Sequence, residues 1–129
     1  MKKRLIALIS VFCLVFAMGA NVAFAAGYSS TAYSTTTKTC YKIYNNNSGS
    51  RKEIHTHLTI TSGTGGAWVI ICNSNGVDLV NQSKLYAYQA TGTISDLVVG
   101  VSNGVTRQIC VKPNANGQRV AGNLYWKIV

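Results

Sequence analysis

The stretch Val120-Ala121-Gly122-Asn123-Leu124-Tyr125-Trp126-Lys127-Ile128 alternates between apolar and polar positions. A period of two marks a β-strand with one buried face, because successive side chains of an extended chain point to opposite sides. Val120, Gly122, Leu124, Trp126 and Ile128 then form the face expected in a core, and Ala121, Asn123, Tyr125 and Lys127 form the other. Working back from this last run (119–129), short apolar or alternating runs recur at 39–45, 52–62, 67–73, 77–81, 83–91, 93–102 and 105–112, and each reads as a strand. In run 52–62, Ile54, Leu58 and Ile60 share the core side. Glu53, His55, His57, Thr59 and Thr61, with Arg51 just ahead, share the side expected to meet solvent.

Turn formers separate the runs. Asn-Gly occurs three times, at Asn75-Gly76, Asn103-Gly104 and Asn116-Gly117. Two-residue hairpin turns need positive φ at both central residues, which Asn and Gly tolerate at least cost, so each pair predicts a hairpin. Pro113 is the single proline and falls in a turn-rich segment. No stretch from residue 26 onward carries a helical stripe. The fold class that follows is all-β: a single antiparallel β-sandwich, or a partly open barrel, of about seven or eight strands, behind a cleaved N-terminal signal helix. Ser74-Asn75-Gly76-Val77 recurs as Ser102-Asn103-Gly104-Val105, a short echo that turn-rich composition produces without duplication.

The leader comes from the other end of the chain. Lys2, Lys3 and Arg4 precede an apolar run from Leu5 to Ala17, and Ala23-Phe24-Ala25 closes it with the small-x-small pattern of a secretory cleavage site. Residues 1–25 read as a signal peptide. The apolar run is short for a membrane anchor, and Cys13 follows Phe12 instead of the small residues that lipoprotein processing needs. Residues 26–38, rich in Ser, Thr and Tyr without an apolar period, read as a flexible arm, and 39–129 as the β-sandwich domain. The expected location is secreted, extracellular or cell-surface, with no transmembrane segment after cleavage. All three Phe and both Met lie in the leader, so the core must be built from Val, Ile and Leu with Tyr and Trp.

The whole chain carries a net charge of +9; without the leader, nine Lys and Arg stand against Glu53, Asp78 and Asp96, which leaves +6. Such a domain is attracted to anionic surfaces, of which cell-wall polysaccharide and other envelope polymers are the natural exported partners. The basic residues are dispersed and not interleaved with aromatics, which argues against nucleic acid. Three cysteines follow the leader, Cys40, Cys72 and Cys110, each in a strand-like run. One inter-strand disulfide is expected among them with one thiol left over, and the spacing does not choose the pair.

The sharpest chemical constellation is Glu53-Ile54-His55-Thr56-His57, in which strand alternation puts a carboxylate and both imidazoles of the protein on one face. Imidazole and carboxylate suit zinc, with a further ligand from Asp78, Asp96, a cysteine or water; a polar solvent face explains the same pattern. Catalysis is poorly supplied. Only three carboxylates are available outside the leader, no Cys–His signature is present, and Gly63-Thr64-Gly65-Gly66 lacks the following helix and Lys-Ser/Thr pair of a phosphate loop. No cofactor is implied.

Binding is better supplied. Tyr41, Tyr44, Tyr86, Tyr88 and Tyr125 offer flat amphipathic rings among Asn, Ser and Thr, a composition suited to sugars. Tyr86 and Tyr88, two apart, should project from one side of their strand, as should Cys40, Lys42 and Tyr44 from theirs. The expected function is a secreted, non-catalytic binding protein of the bacterial-type cell envelope or medium, contacting carbohydrate or an anionic surface. The alternative is a small membrane-active bacteriocin or toxin-like β protein.

Overall fold

The computed structural model describes residues 27–129 apart from positions 64, 80–82, 90 and 94; the leader read at 1–25 lies outside the described residues. The described chain forms eight strands: β1 Ser29–Thr35, β2 Thr39–Asn45, β3 Lys52–Gly63, β4 Ala67–Cys72, β5 Lys84–Ala87, β6 Leu97–Val101, β7 Thr106–Pro113 and β8 Val120–Ile128. They make two four-stranded antiparallel sheets, ordered β1-β8-β3-β6 and β2-β7-β4-β5, so the all-β architecture is a sandwich of two sheets. Among these strands only β4 and β5 are both consecutive and paired; every other connection passes from one sheet to the other. That interleaving is the double Greek key of a jelly roll.

The Asn-Gly turns therefore do a different job from the one expected of them. Gly104 and Gly117 adopt φ of 79° and 77°, as the turn chemistry demands, but they carry the chain across the sandwich, from β6 to β7 and from β7 to β8. Gly76, with φ of 75°, lies inside the β4–β5 connection. There Asn73 organises the turn, its side-chain oxygen accepting from the amides of Asn75 (2.9 Å) and Val77 (3.0 Å). The strand read at 77–81 reduces to a single bridge between Asp78 and Cys72 among its described residues.

The segment read as a flexible arm is instead β1, an edge strand that pairs with β8 from Ser29↔Trp126 to Thr35↔Val120. Its inward residues are Thr31, Tyr33 and Thr35, so no apolar alternation advertises it. Tyr33 is 3 % exposed and donates its hydroxyl to the Thr59 carbonyl (2.7 Å). Burial and the neighbouring Tyr41 hold that phenol far above its ordinary range. Gly122, opposite Tyr33, supplies the room: a Cβ there would collide with the Thr59 carbonyl and press on the Tyr33 hydroxyl.

The core between the sheets consists of Tyr33, Ile54, Leu58, Leu97, Val101, Val120 and Leu124 from one side and Ala67, Val69, Ile71, Ala87, Ile109 and Val111 from the other. The faces read for β3 and β8 are the observed ones, with Ile60, Trp126 and Ile128 half-buried at the margin. Asn46, fully buried, ties the sheets at one end: its amide donates to the carbonyls of Val101 and Ser50, both at 2.8 Å.

Candidate functional site

Two outer faces carry the chemistry. On the first sheet, β3 and β8 place His57 opposite Tyr125 and His55 opposite Lys127, while β6 brings Val98 opposite His55. Asp96, just ahead of β6, arrives beside both histidines. Its Oδ1 accepts from His57 Nδ1 at 2.8 Å, and its Oδ2 lies 3.6 Å from His55 Nδ1. The Tyr28 hydroxyl, from the residue preceding β1, also donates to Asp96 Oδ2. An ionised carboxylate only accepts, so His57 Nδ1–H is the donor of this bond. Glu53 approaches His55 from the other side, at 3.2 Å from Nε2.

His57, on the face expected to meet solvent, is instead 9 % exposed and enclosed by rings. Tyr125 stacks on it (centroids 4.8 Å apart, 19° between planes) and Tyr28 meets it edge-on at 4.8 Å, with Lys127 Nζ 4.7 Å from the Tyr28 centroid. Burial acts to raise the Asp96 carboxyl, but the hydrogen bonds from Tyr28 and His57 and the two imidazoles outweigh it and hold it below its ordinary range. Burial and the same bond push the Tyr28 phenol up to about 12. Asp96 thus holds His57 and Tyr28 by hydrogen bonds and lies within ion-pair distance of His55, which bonds to Glu53. Among the described residues the one trio whose ligand atoms converge, within 4.8 Å of one another, is Cys40, Cys72 and Cys110.

The second sheet's outer face is aromatic and cationic. Trp68 on β4 pairs with Tyr86 on β5, and their rings meet edge-on at 5.1 Å; Tyr86 meets Tyr88 at 5.5 Å in the same way. The two tyrosines do project from one side, as alternation requires. Tyr86 lies across Gly66, where a Cβ would collide with its ring and hydroxyl. Lys84 Nζ sits 5.2 Å from the Trp68 centroid, Lys112 is the β7 partner of Trp68, and Trp68 Nε1 donates to Asn114 Oδ1 at 3.2 Å. Tyr88 at the end of the row is 54 % exposed.

Of the tyrosines singled out for binding, Tyr86 and Tyr88 belong to this row, and Tyr125 belongs to the histidine cluster. Tyr41 and Tyr44 pack against the core instead. The cause is a bulge: the β2–β7 register shifts between Cys40 and Lys42, which breaks the alternation that would align Cys40, Lys42 and Tyr44. Cys40 stays on the outer face with Cys110, whereas Lys42 reaches the edge of the interior, its Nζ 5.8 Å from the Trp126 ring. Trp68 is the residue the sequence reading overlooked; Ala67–Cys72 is apolar throughout, so no alternation in it told the outer face from the inner.

Beside the aromatic row, Cys40 and Cys110 face each other across β2 and β7 and form a disulfide. Cys72 is buried and reduced, its Sγ 3.5 Å from Asp78 Oδ1. Lys38 closes the group with bonds to Asp78 Oδ1 (2.8 Å) and the Gly76 carbonyl (2.7 Å). Burial, aided by Asp78 and opposed by Lys38, pushes the Cys72 thiol up to about 11.

The fold and these faces define a jelly-roll domain whose two outer surfaces differ in kind, one a closed polar network, the other a row of rings beside lysines. No protein-family model matches the chain, and no curated protein matches it.

Proposed function

We propose that this is a non-catalytic binding domain that holds an acidic polysaccharide of the cell envelope on the outer face of the second sheet. The observation that carries the reading is the contiguous row Trp68–Tyr86–Tyr88 flanked by Lys84 and Lys112. Rings offer their faces to the C–H surfaces of sugars, and the two ammonium groups attract carboxylates or phosphates along the polymer. Asn114, already oriented by Trp68, supplies an amide at the margin. Tyr125 serves the histidine cluster in this reading and Tyr41 and Tyr44 serve the core. Export by the leader places the domain where such polymers occur, a premise that rests on the sequence alone.

The test is a fluorescence and sedimentation titration with a teichoic-acid-type polymer, a neutral glucan, and dye-loaded anionic vesicles. The expected result is saturable binding to the anionic polymer that weakens with salt, no binding to the glucan, and intact vesicles. Trp68→Ala and Tyr88→Ala should each weaken binding about tenfold, the equivalent of about 1.4 kcal/mol. Vesicle leakage without polymer binding would replace this reading with the membrane-active one, and equal binding by both variants would remove the aromatic row from the account.

A further inference from the structure

We infer that Cys40, Cys72 and Cys110 form a thiol–disulfide exchange site, in which Cys72 displaces Cys40 from Cys110 and so presents Cys40 as a reactive thiol to an external disulfide. The three sulfurs lie within 4.8 Å of one another on the outer face of the second sheet. The register decides which exchange is open. Cys110 on β7 lies opposite Cys40 of β2 on one side and Ile70 of β4 on the other, and Cys72 pairs with Gln108, so Cys72 is the diagonal neighbour of Cys110. Diagonal neighbours on adjacent strands stand about 7–8 Å apart at Cα, just beyond the usual span of a disulfide, so a Cys72–Cys110 bond needs a small local shift of β4 against β7. Cys72 and Cys40 are separated by the whole of β7, about 9.6 Å at two strand spacings, which no disulfide spans.

Of the two rearrangements, the one onto Cys110 needs the lesser movement of the sheet. The Cys72 thiolate attacks Cys110 Sγ, the Cys72–Cys110 bond forms as the Cys40–Cys110 bond breaks, and Cys40 leaves as a thiolate. No electrons enter or leave. Cys72 and Cys110 are fully buried, whereas Cys40 is half-exposed on β2, an edge strand, so the exchange moves the one free thiol from the interior to the surface. A low-molecular disulfide can then be attacked by Cys40, giving a mixed disulfide on Cys40 and one released thiol. The thiol proton goes to solvent hydroxide, because Asp78, 3.5 Å from Cys72 Sγ, is held below its ordinary range and is too weak a base to take it; Lys38 beside them offsets the charge that develops. This inference is independent of the polysaccharide reading and stands or falls without it.

The test is native incubation of the full-length protein with oxidised glutathione, an acid quench, and peptide mapping by mass spectrometry without reduction; mapping also separates any product on Cys13. The expected result is glutathione on Cys40 together with a linked Cys72–Cys110 peptide pair. Glutathione on Cys72 with the Cys40–Cys110 pair intact would overturn the inference, and so would an unmodified Cys40–Cys110 pair after the unfolded protein has reacted fully. Cys72→Ala should lower the yield of the Cys40 adduct at least tenfold. The wild-type map decides the question even where that variant does not fold.

Discussion

Replacing Asp96 with Asn isolates what the histidine cluster contributes. The carboxylate accepts from the Tyr28 hydroxyl and from His57 Nδ1–H. An Asn side chain keeps the shape and accepts one of those bonds through its oxygen, but its amide turns a donor toward the other donor. A hydrogen bond to a charged group contributes about 1.5–3 kcal/mol. Losing one such bond and weakening the other should cost about 2 kcal/mol at neutral pH, since the carboxylate is 24 % exposed and partly screened. Dependence on pH separates this from lost packing. The folded carboxyl lies below its ordinary value of 3.8, so the unfolded chain binds more protons in that range. The contribution is fully present above 3.8 and is lost as pH falls through the depressed folded value. The Asn variant has no proton to bind there. Urea unfolding of both proteins followed by Trp fluorescence should show the gap of about 2 kcal/mol at pH 7 and its decline on acidification below about pH 3.8. A gap that stays constant through that range, or one under about 0.5 kcal/mol at pH 7, refutes the carboxylate-centred description of the cluster.

Other outcomes follow from the same geometry. Asn46→Ala removes both bonds of its amide and strands the buried Val101 carbonyl, so urea unfolding should show a loss of about 3 kcal/mol at unchanged m-value; Asn46→Asp should be no better, because it also lacks the donor. Reduction and alkylation of Cys40–Cys110 opens a loop of 70 residues, which the chain-entropy estimate values at about 4 kcal/mol, and calorimetry should show Tm falling by about 15 °C or more. Gly92→Ala meets the Leu58 carbonyl and the Thr59 backbone at φ of 81°, and should cost well over about 2 kcal/mol. Gly76→Ala, at φ of 75° with open space around it, should cost only about 1 kcal/mol in the same denaturation assay.

The strands were legible where apolar residues alternate, as in β3 and β8, and illegible where the inward positions are filled by amphipathic residues. β1 buries Tyr33 and Thr35 through hydroxyl bonds to Thr59, Thr37 and Thr39, so its inward face carries no apolar signal. The turns were legible as backbone conformations but not as connections. Asn-Gly fixes positive φ locally, and whether the next strand stays in the sheet or crosses to the other depends on where its apolar face finds partners. The bulge at Cys40/Lys42 is likewise a tertiary adjustment: it keeps Tyr41 and Tyr44 in the core while Cys40 faces Cys110 outside. At the site, His55 and His57 were visible on one face because they share a strand. Asp96, 39 positions beyond His57, was only one of several candidate partners for that face, and Tyr28 and Tyr125 were not associated with it, since Tyr28 precedes the first strand and Tyr125 lies on the last.

The few acidic groups are distributed unequally between the two outer faces, which supports the proposed reading. Glu53 and Asp96 both sit on the first sheet's face, engaged with His55 and His57, so that face is locally balanced and its polar groups are committed to one another. Asp78, beside the second sheet, is bound by Lys38 and held below its ordinary range chiefly by that bond. Lys84 and Lys112 have no carboxylate among the described salt bridges, and each is exposed beside Trp68. In the proposed reading a polyanion meets, on the second sheet's side, two exposed ammonium groups beside rings; these ammonium groups form no salt bridge among the described residues, with Asp78 acting on Lys112 only at longer range. The jelly-roll topology is what permits the division, because every connection except β4–β5 crosses between the sheets and each outer face draws its side chains from a different set of segments.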